Sequence, residues 1–378
     1  MALRILKYVF ASLLPALGSS LAMSCAESQA IAVQSSSAAI YARTDTNATT
    51  IWAPRAEAQV RFGESATISG VYALDSWTSA SIDITTAATK AVHELRHEAT
   101  GGASYDFANV GLSASYRYST ENDYWSHGGV ASLRIDLAQK NTILALAAFG
   151  SSDTVGREGR PDFRRPQNSL GGRLSLVQVL GRIAVGQLSY ELTRIGGYQA
   201  SPYRFVAIGG QGTCAGTAEL CLPERHPEER VRHAVSGEER TALGKYASLG
   251  LGYRFYYDDW EVMSHTIQPH LSFVLGEHAT LTLNHRFYTQ RSAYFYLPRY
   301  IGEPGELRYV TRDRKLSTLY DNQVGLSYEQ GFVIGAHARN LLTLGMRASV
   351  TRIVYQDFVG LRRVDVLEAT LSLGTNLR

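Results

Sequence analysis

Residues 55–62 read Arg-Ala-Glu-Ala-Gln-Val-Arg-Phe. Ala56, Ala58, Val60 and Phe62 alternate with Arg55, Glu57, Gln59 and Arg61, so an extended chain shows one apolar face and one polar face. That is the period of a half-buried strand. The same split recurs downstream: Leu112, Ala114, Tyr116 and Tyr118 oppose Ser113, Ser115, Arg117 and Ser119, while Leu133, Ile135 and Leu137 oppose Ser132, Arg134 and Asp136. Leu249, Leu251, Tyr253 and Phe255 oppose Ser248, Arg254 and Tyr256, and Leu281, Leu283 and Phe287 oppose Thr282, Asn284, Arg286 and Tyr288. It persists to Leu342, Leu344, Met346 and Val350 against Thr343, Arg347 and Thr351, and to Leu367, Ala369, Leu371 and Leu373 against Glu368, Thr370 and Ser372.

The connections alternate too. Terse turns fall near Gly63–Glu64, Ala138–Asn141, Gly181–Arg182 and Gly276–His278, and longer polar links near 76–90, 152–167, 197–230 and 292–313. Short turns at one rim, long loops at the other and alternating segments of ~10 residues predict an all-β fold, a transmembrane antiparallel β-barrel of the bacterial outer membrane. Sixteen segments are counted, with fourteen as the alternative; the least distinct are Ser37–Arg43 and the pair flanking Thr241–Gly244. A soluble sandwich would alternate as well, but its strands average about 5–6 residues. Here Tyr116, Tyr118, Tyr190, Tyr253, Phe255, Tyr257 and Phe287 gather toward segment ends on the apolar face, as aromatic girdles do at lipid interfaces.

Residues 1–26 carry Arg4 and Lys7, an apolar stretch from Tyr8 to Met23 and the small residues Ser24, Cys25 and Ala26. This is the pattern of a cleaved signal peptide. Pro15, Gly18, Ser19 and Ser20 interrupt a stretch already short of the ~20 apolar residues a spanning helix needs. The expected organisation is a signal peptide over 1–26, a periplasmic N-terminal lead over 27–35 and the barrel over 36–378. Of 37 basic and 34 acidic residues, the loss of Arg4 and Lys7 leaves 35 against 34, a net charge of +1. A chain so balanced has no general field to gather nucleic acid, and no such partner is expected. Cys214 and Cys221 remain as a pair in an exported chain, where a disulfide pinning one loop is expected. A metal there would have only His226 and His233 as further ligands.

Several stretches, Asp75-Ser76-Trp77-Thr78-Ser79-Ala80-Ser81-Ile82-Asp83, Tyr118-Ser119 with Asp123-Tyr124, Tyr253-Arg254-Phe255-Tyr256 with Asp258-Asp259-Trp260 and Ser264-His265-Thr266, and Arg286-Phe287-Tyr288-Thr289-Gln290, resemble the bacterial family catalogued as domain of unknown function 3570. The resemblance spans most of the mature region. It implies an outer-membrane barrel, and members that serve envelope machinery with flavin-bearing or thioredoxin-like partners, which favours a scaffold or a conduit. One departure from many outer-membrane barrels is the end Asn376-Leu377-Arg378, which lacks the terminal aromatic used in assembly recognition.

His93-Glu94-Leu95-Arg96-His97 matches the H-E-x-x-H of zinc metalloproteases, whose helix puts both histidines on one face for the metal and lets the glutamate polarise water. Here Glu94, Arg96, Glu98 and Thr100 continue a strand-like polar face and Gly101-Gly102 follows, so charged wall residues flanked by interface histidines are the plainer reading. A hydrolase built from Ser264, His265, His285 and Asp259 lacks a nucleophile elbow. No phosphate-cradling glycine loop and no paired CxxC occurs in the sequence. No enzyme activity, cofactor or metal is expected.

The residues expected to line the lumen are Arg55, Glu57, Arg61, Glu94, Arg96, Glu98, Arg117, Arg134, Asp136, Arg173, Glu191, Arg254, Arg286, Asp321, Arg347 and Glu368. Both signs are present, as suits a cross-linked wall or a weakly selective aqueous path. The loop from Gly197 to Arg230, stiffened by the cysteine pair, is the candidate to fold inward or cap the barrel. The reading is a pore or channel for small solutes or ions, or else the barrel scaffold of an envelope complex with a periplasmic, lipoprotein or redox partner. Outer-membrane lipids and the barrel-assembly machinery are expected partners in either case.

Overall fold

The computed structural model describes residues 31–79, 92–209, 214, 220–335 and 340–377. The expected signal peptide and residues 27–30 of the expected lead lie outside them. The strands are β1 (Ile31–Asp45), β2 (Thr49–Phe62), β3 (Ala66–Ser79), β4 (Val92–Phe107), β5 (Val110–Thr120), β6 (Tyr124–Leu137), β7 (Thr142–Val155), β8 (Arg165–Val179) and β9 (Ala184–Gly197). There follow β10 (Phe205–Ile208), β11 (Leu220–Pro223), β12 (Glu229–Ala242), β13 (Ala247–Asp258), β14 (Met263–Val274), β15 (Ala279–Gln290), β16 (Leu319–Val333), β17 (Leu341–Tyr355) and β18 (Arg363–Asn376). All but β10 and β11 form one closed antiparallel barrel, sealed by β1 against β18, with Ser35 opposite Asn376 and Asp45 opposite Val366. The barrel therefore has sixteen strands, and the indistinct pair around Thr241–Gly244 is β12 and β13. Strand β1 begins at Ile31, inside the stretch expected as a periplasmic lead.

Closure is what lets these strands sit in lipid. Hydrocarbon offers no partner to a backbone N–H or C=O, and only a sheet without edges satisfies every one of them. Direct pairing preserves parity, because the partner of an apolar-face residue lies on the same face of the next strand. Leu112 thus faces Leu133, Leu133 faces Leu146, and Leu146 faces Leu174, all on one surface. Leu112, Leu146, Leu174, Leu188, Leu251, Leu283, Val324 and Val350 on that surface are all exposed. A continuous band of exposed apolar side chains around a closed sheet is a lipid-facing wall, so the chain is a transmembrane β-barrel of the outer-membrane type.

A collar of tyrosine–histidine pairs marks the rim of that wall nearer the long loops. Tyr72 and His97, Tyr116 and His127, Tyr190 and His233, and Tyr253 and His265 each join the tyrosine hydroxyl to histidine Nδ1, at 2.8, 2.6, 2.9 and 2.7 Å. Each pair is the same diagonal: the tyrosine sits opposite Ala99, Gly129, Val235 or Ile267, and the histidine precedes that residue by two. Rings that are apolar in body and polar at the tip suit the level where hydrocarbon gives way to headgroups.

The parity of the faces yields a direct test. Val350→Arg, on the apolar surface of β17, is expected to cost about 2–4 kcal/mol of folding free energy in lipid, the range for arginine near the bilayer midplane. Ser349→Arg is expected to be nearly neutral, because Ser349 Oγ already donates to Glu368 Oε2 at 3.2 Å and an arginine there meets the same carboxylate. Refolding titrations into lipid vesicles read both, and equal costs would contradict the assignment of faces.

Candidate functional site

The polar face is a lattice of neighbouring opposite charges. All sixteen residues expected to line the lumen lie on this face by register. Arg117 Nη1 meets Glu98 at 3.1 Å, Arg134 meets Asp106 at 3.1 Å and Asp136 at 3.2 Å, and Arg286 meets Asp321 at 2.9 Å. Arg96 pairs with Asp75, Arg173 with Glu191, and Arg55 with Glu57 at 3.4 Å. Arg61 donates to the backbone oxygen of Glu64, Arg347 Nε to Ser327 Oγ at 3.2 Å, and the Arg254 guanidinium lies 5.8 Å from the Tyr256 ring centroid. Glu368 accepts from Tyr41 across the sealing seam at 2.5 Å and from Gln323 of β16 and Ser349 of β17 at 3.1 and 3.2 Å. A few apolar side chains interrupt this face. Val130 and Phe149 are paired there, and a Cβ added to Gly171 would sit 2.4 Å from the Phe149 ring, so that position has to be glycine.

At the end with the long loops the polar face is covered. Trp260, Val262, Ala293, Phe295, Tyr296, Leu316 and Phe358 from the loops form a buried cluster with Leu319 of β16, Tyr355 of β17 and Val364 and Val366 of β18, and Tyr256 of β13 and Tyr288 of β15 pack on it. Side chains from strands this far around a barrel converge only on its concave side, so these loops fold into the mouth. Trp260 is central: its Nε1 donates to Glu229 O at 2.9 Å, Arg230 stacks 4.1 Å over its ring, and Phe295 meets it edge-on at 5.2 Å.

The loop nominated from sequence, 197–230, contributes β10 and β11, a hairpin closed by the Cys214–Cys221 disulfide. It docks on the 291–318 loop through Val206 and Ile208 against Tyr300 and Val310, and through the bridges Ile208 to Tyr300 and Arg225 to Val310. Between the two loops lies a buried carboxylate. Glu224 accepts from Thr311 Oγ1 at 2.7 Å, Arg312 N at 2.9 Å and Ser201 N at 2.9 Å, with Arg204 at 3.7 Å and His226 Nε2 at 3.4 Å. Burial alone would raise its pKa, but the hydrogen bond from His226 and the charge of Arg204 outweigh burial and hold the carboxyl at about 2. Tyr203 ties the same loop to Asp123 in the turn between β5 and β6.

The enzyme readings do not assemble. His93 and His97 lie four residues apart on strand β4, about 13 Å along an extended chain and too far for one metal. The Nδ1 of His97 is engaged by Tyr72. Ser264 and His265 are neighbours on β14, so their side chains leave opposite faces of the sheet. His226 is enclosed by Gln199, Thr311 and Glu224, and no group of three metal-ligating side chains occurs among the described residues. The sequence did not single out the 291–318 loop as a cover. The signal was Tyr294-Phe295-Tyr296-Leu297, an apolar run inside a long polar link.

A family model described as "Protein of unknown function (DUF3570)" matches residues 88–168 and 164–347. No curated protein matches the sequence. Among solved structures, a bacterial polysaccharide outer membrane secretin is similar with a TM-score of 0.49 at 10% identity, over 91% of this chain and 98% of that one. OprD of Pseudomonas aeruginosa gives 0.45 at 8% identity over 95% and 98%, and OccK2 (OpdF) of the same organism 0.44 at 12% over 92% and 98%.

Proposed function

The chain belongs to the DUF3570 family of proteins of unknown function, so its activity is read from its own wall, and we propose that it is a non-enzymatic outer-membrane pore for small solutes or ions. The observation that supports this most is the largely polar, charge-bearing inner face of a closed sixteen-strand barrel. Barrels of that size leave an aqueous channel, and a wall of paired charges of both signs holds water without barring either ion. In this reading Arg55, Glu57, Arg117, Arg134, Arg173, Arg254, Arg347 and their partners line the lumen, and the two docked loops narrow its outer mouth. Export follows cleavage of residues 1–26.

Purified protein in planar lipid bilayers is expected to give discrete conductance steps, and Arg117→Ala or Arg254→Ala to shift ion preference toward cations by removing positive charge from the wall. A bilayer silent for both the wild type and a loop-released variant such as Trp260→Ala would overturn the pore. It would favour the barrel as scaffold of an envelope complex, recovered with a lipoprotein or redox partner.

A further inference from the structure

On one stretch of the polar face the arginines outnumber the carboxylates that answer them. Strands β12, β13 and β15 carry Arg230, Arg232, Arg254 and Arg286 there, and the acids that meet them are Asp258 on β13 and Asp321 on β16. Asp258 is taken up by Arg230, whose Nε reaches it at 2.9 Å, and by the Tyr256 hydroxyl at 2.5 Å. Asp321 is taken up by Arg286, whose Nη2 reaches both carboxylate oxygens at 2.9 Å. Arg232 and Arg254 are left over. Among the described residues neither forms an ion pair, and Arg254 has only the Tyr256 ring, 5.8 Å from its guanidinium carbon. The Nε atoms of Arg232 and Arg286 are both buried and donate to no protein group among the described residues.

Register gathers these groups. Arg232 lies opposite Asp258, and Arg254 comes four residues before Asp258 on the same face of β13, so the two unpaired arginines occupy positions flanking Tyr256. Tyr288 is in line with Arg254 through Thr266, and Arg286 is two residues from Tyr288 on the same face of β15. Tyr256 and Tyr288 pack on the loop cluster, so this stretch of wall lies just inside the cover.

A buried guanidinium N–H without a protein acceptor is costly, and an anion answers it more strongly than a neutral group does. Two uncompensated positive charges attract a dianion more than a monoanion, because the attraction scales with the product of the charges. The planar fork of guanidinium matches an anion that offers several oxygens, as phosphate does. We propose that this stretch binds small doubly charged oxyanions of the phosphate class, held between Arg232 and Arg254 just inside the cover. Binding itself does not require the barrel to conduct. Its role in passage rests on the pore reading, where it specifies an anion that the wall favours.

Equilibrium dialysis of the detergent-solubilised full-length mature protein against radiolabelled inorganic phosphate reads the site directly, in mildly alkaline buffer where phosphate carries two charges. Saturable binding is expected, displaced by sulfate and not by the same concentration of nitrate. Arg232→Gln and Arg254→Gln are each expected to weaken it about tenfold or more, the effect of losing one hydrogen bond to a charged group. Arg232→Lys, which keeps the charge without the fork, should fall between Arg232→Gln and wild type. Arg194→Gln removes a positive charge from the outer surface, opposite Leu170, and should bind as wild type does. Heat-modifiable migration on SDS gels reports that each variant is folded. No saturable phosphate binding in the wild type, equal displacement by nitrate and sulfate, or binding unmoved in both glutamine variants overturns the site. Planar bilayers keep the two readings apart: a conducting barrel that binds no phosphate loses the site alone, and a silent barrel that binds phosphate loses the pore alone.

Discussion

Replacing Glu224 by alanine should separate the two long loops over the barrel mouth and leave the barrel itself intact. The carboxylate is buried among Thr311, Ser201, Arg312, Arg204 and His226, so its removal leaves three buried hydrogen-bond donors without their acceptor, while Arg204 keeps Asp313 at 3.1 Å. Leaving a buried donor without its acceptor costs about 1–3 kcal/mol, here charged to the docking of loop on loop. Hydrogen exchange in detergent should show protection falling by two to three orders of magnitude across 198–208 and 295–312 while the strands are unchanged. Acid offers an independent reading of the same group. A carboxyl held at about 2 against an ordinary 4.5 contributes stability that is fully present above pH 4.5 and is lost as the pH falls toward 2. Wild-type loops should therefore lose protection between about pH 4 and 2, and Glu224→Gln, with nothing to titrate, should show no such step. Loops equally protected in Glu224→Ala and wild type would contradict the latch.

Trp260→Ala should be as disruptive, from the barrel side of the same cover. The indole is 3% exposed and packs on Phe295, His226 and Arg230, and its deletion leaves a void and an unpaired Glu229 carbonyl. Large aromatic deletions in a packed cluster cost about 3–5 kcal/mol. The 291–318 loop should leave the wall formed by Leu319, Tyr355, Val364 and Val366, seen as lost exchange protection and as a larger conductance step. Trp260→Phe, which keeps the apolar contact and loses only the hydrogen bond to Glu229, should lie near wild type. A Trp260→Ala protein with unchanged step size and unchanged protection would show that the cluster does not narrow the mouth.

What local pattern can reveal, it revealed. Alternation at Ala56 to Phe62 or Leu367 to Leu373 is imposed by the pleat and by lipid on one side, so the faces and the strand number were legible without contacts. The first strand was harder. A register shift between Val33 and Ser35 breaks its alternation, and the run Ser35-Ser36-Ser37 carries too little hydropathy to mark a face. The cover was legible only in part. The cysteine pair pointed to a pinned loop, but neither the hairpin inside that loop nor its docking on Tyr300 and Val310, which joins residues about 90 positions apart, has a periodic signature. Glu224 is likewise an ordinary acid in a charged loop until the fold brings Thr311 to it.

The seam between β1 and β18 has a consequence for how the protein is made. The first strand synthesised waits for the last, so until translocation is nearly complete the growing ribbon has two open margins of unpaired amides and carbonyls. Neither lipid nor the protein's own body can satisfy them during that interval, so the sheet becomes at home in hydrocarbon only when its two ends meet.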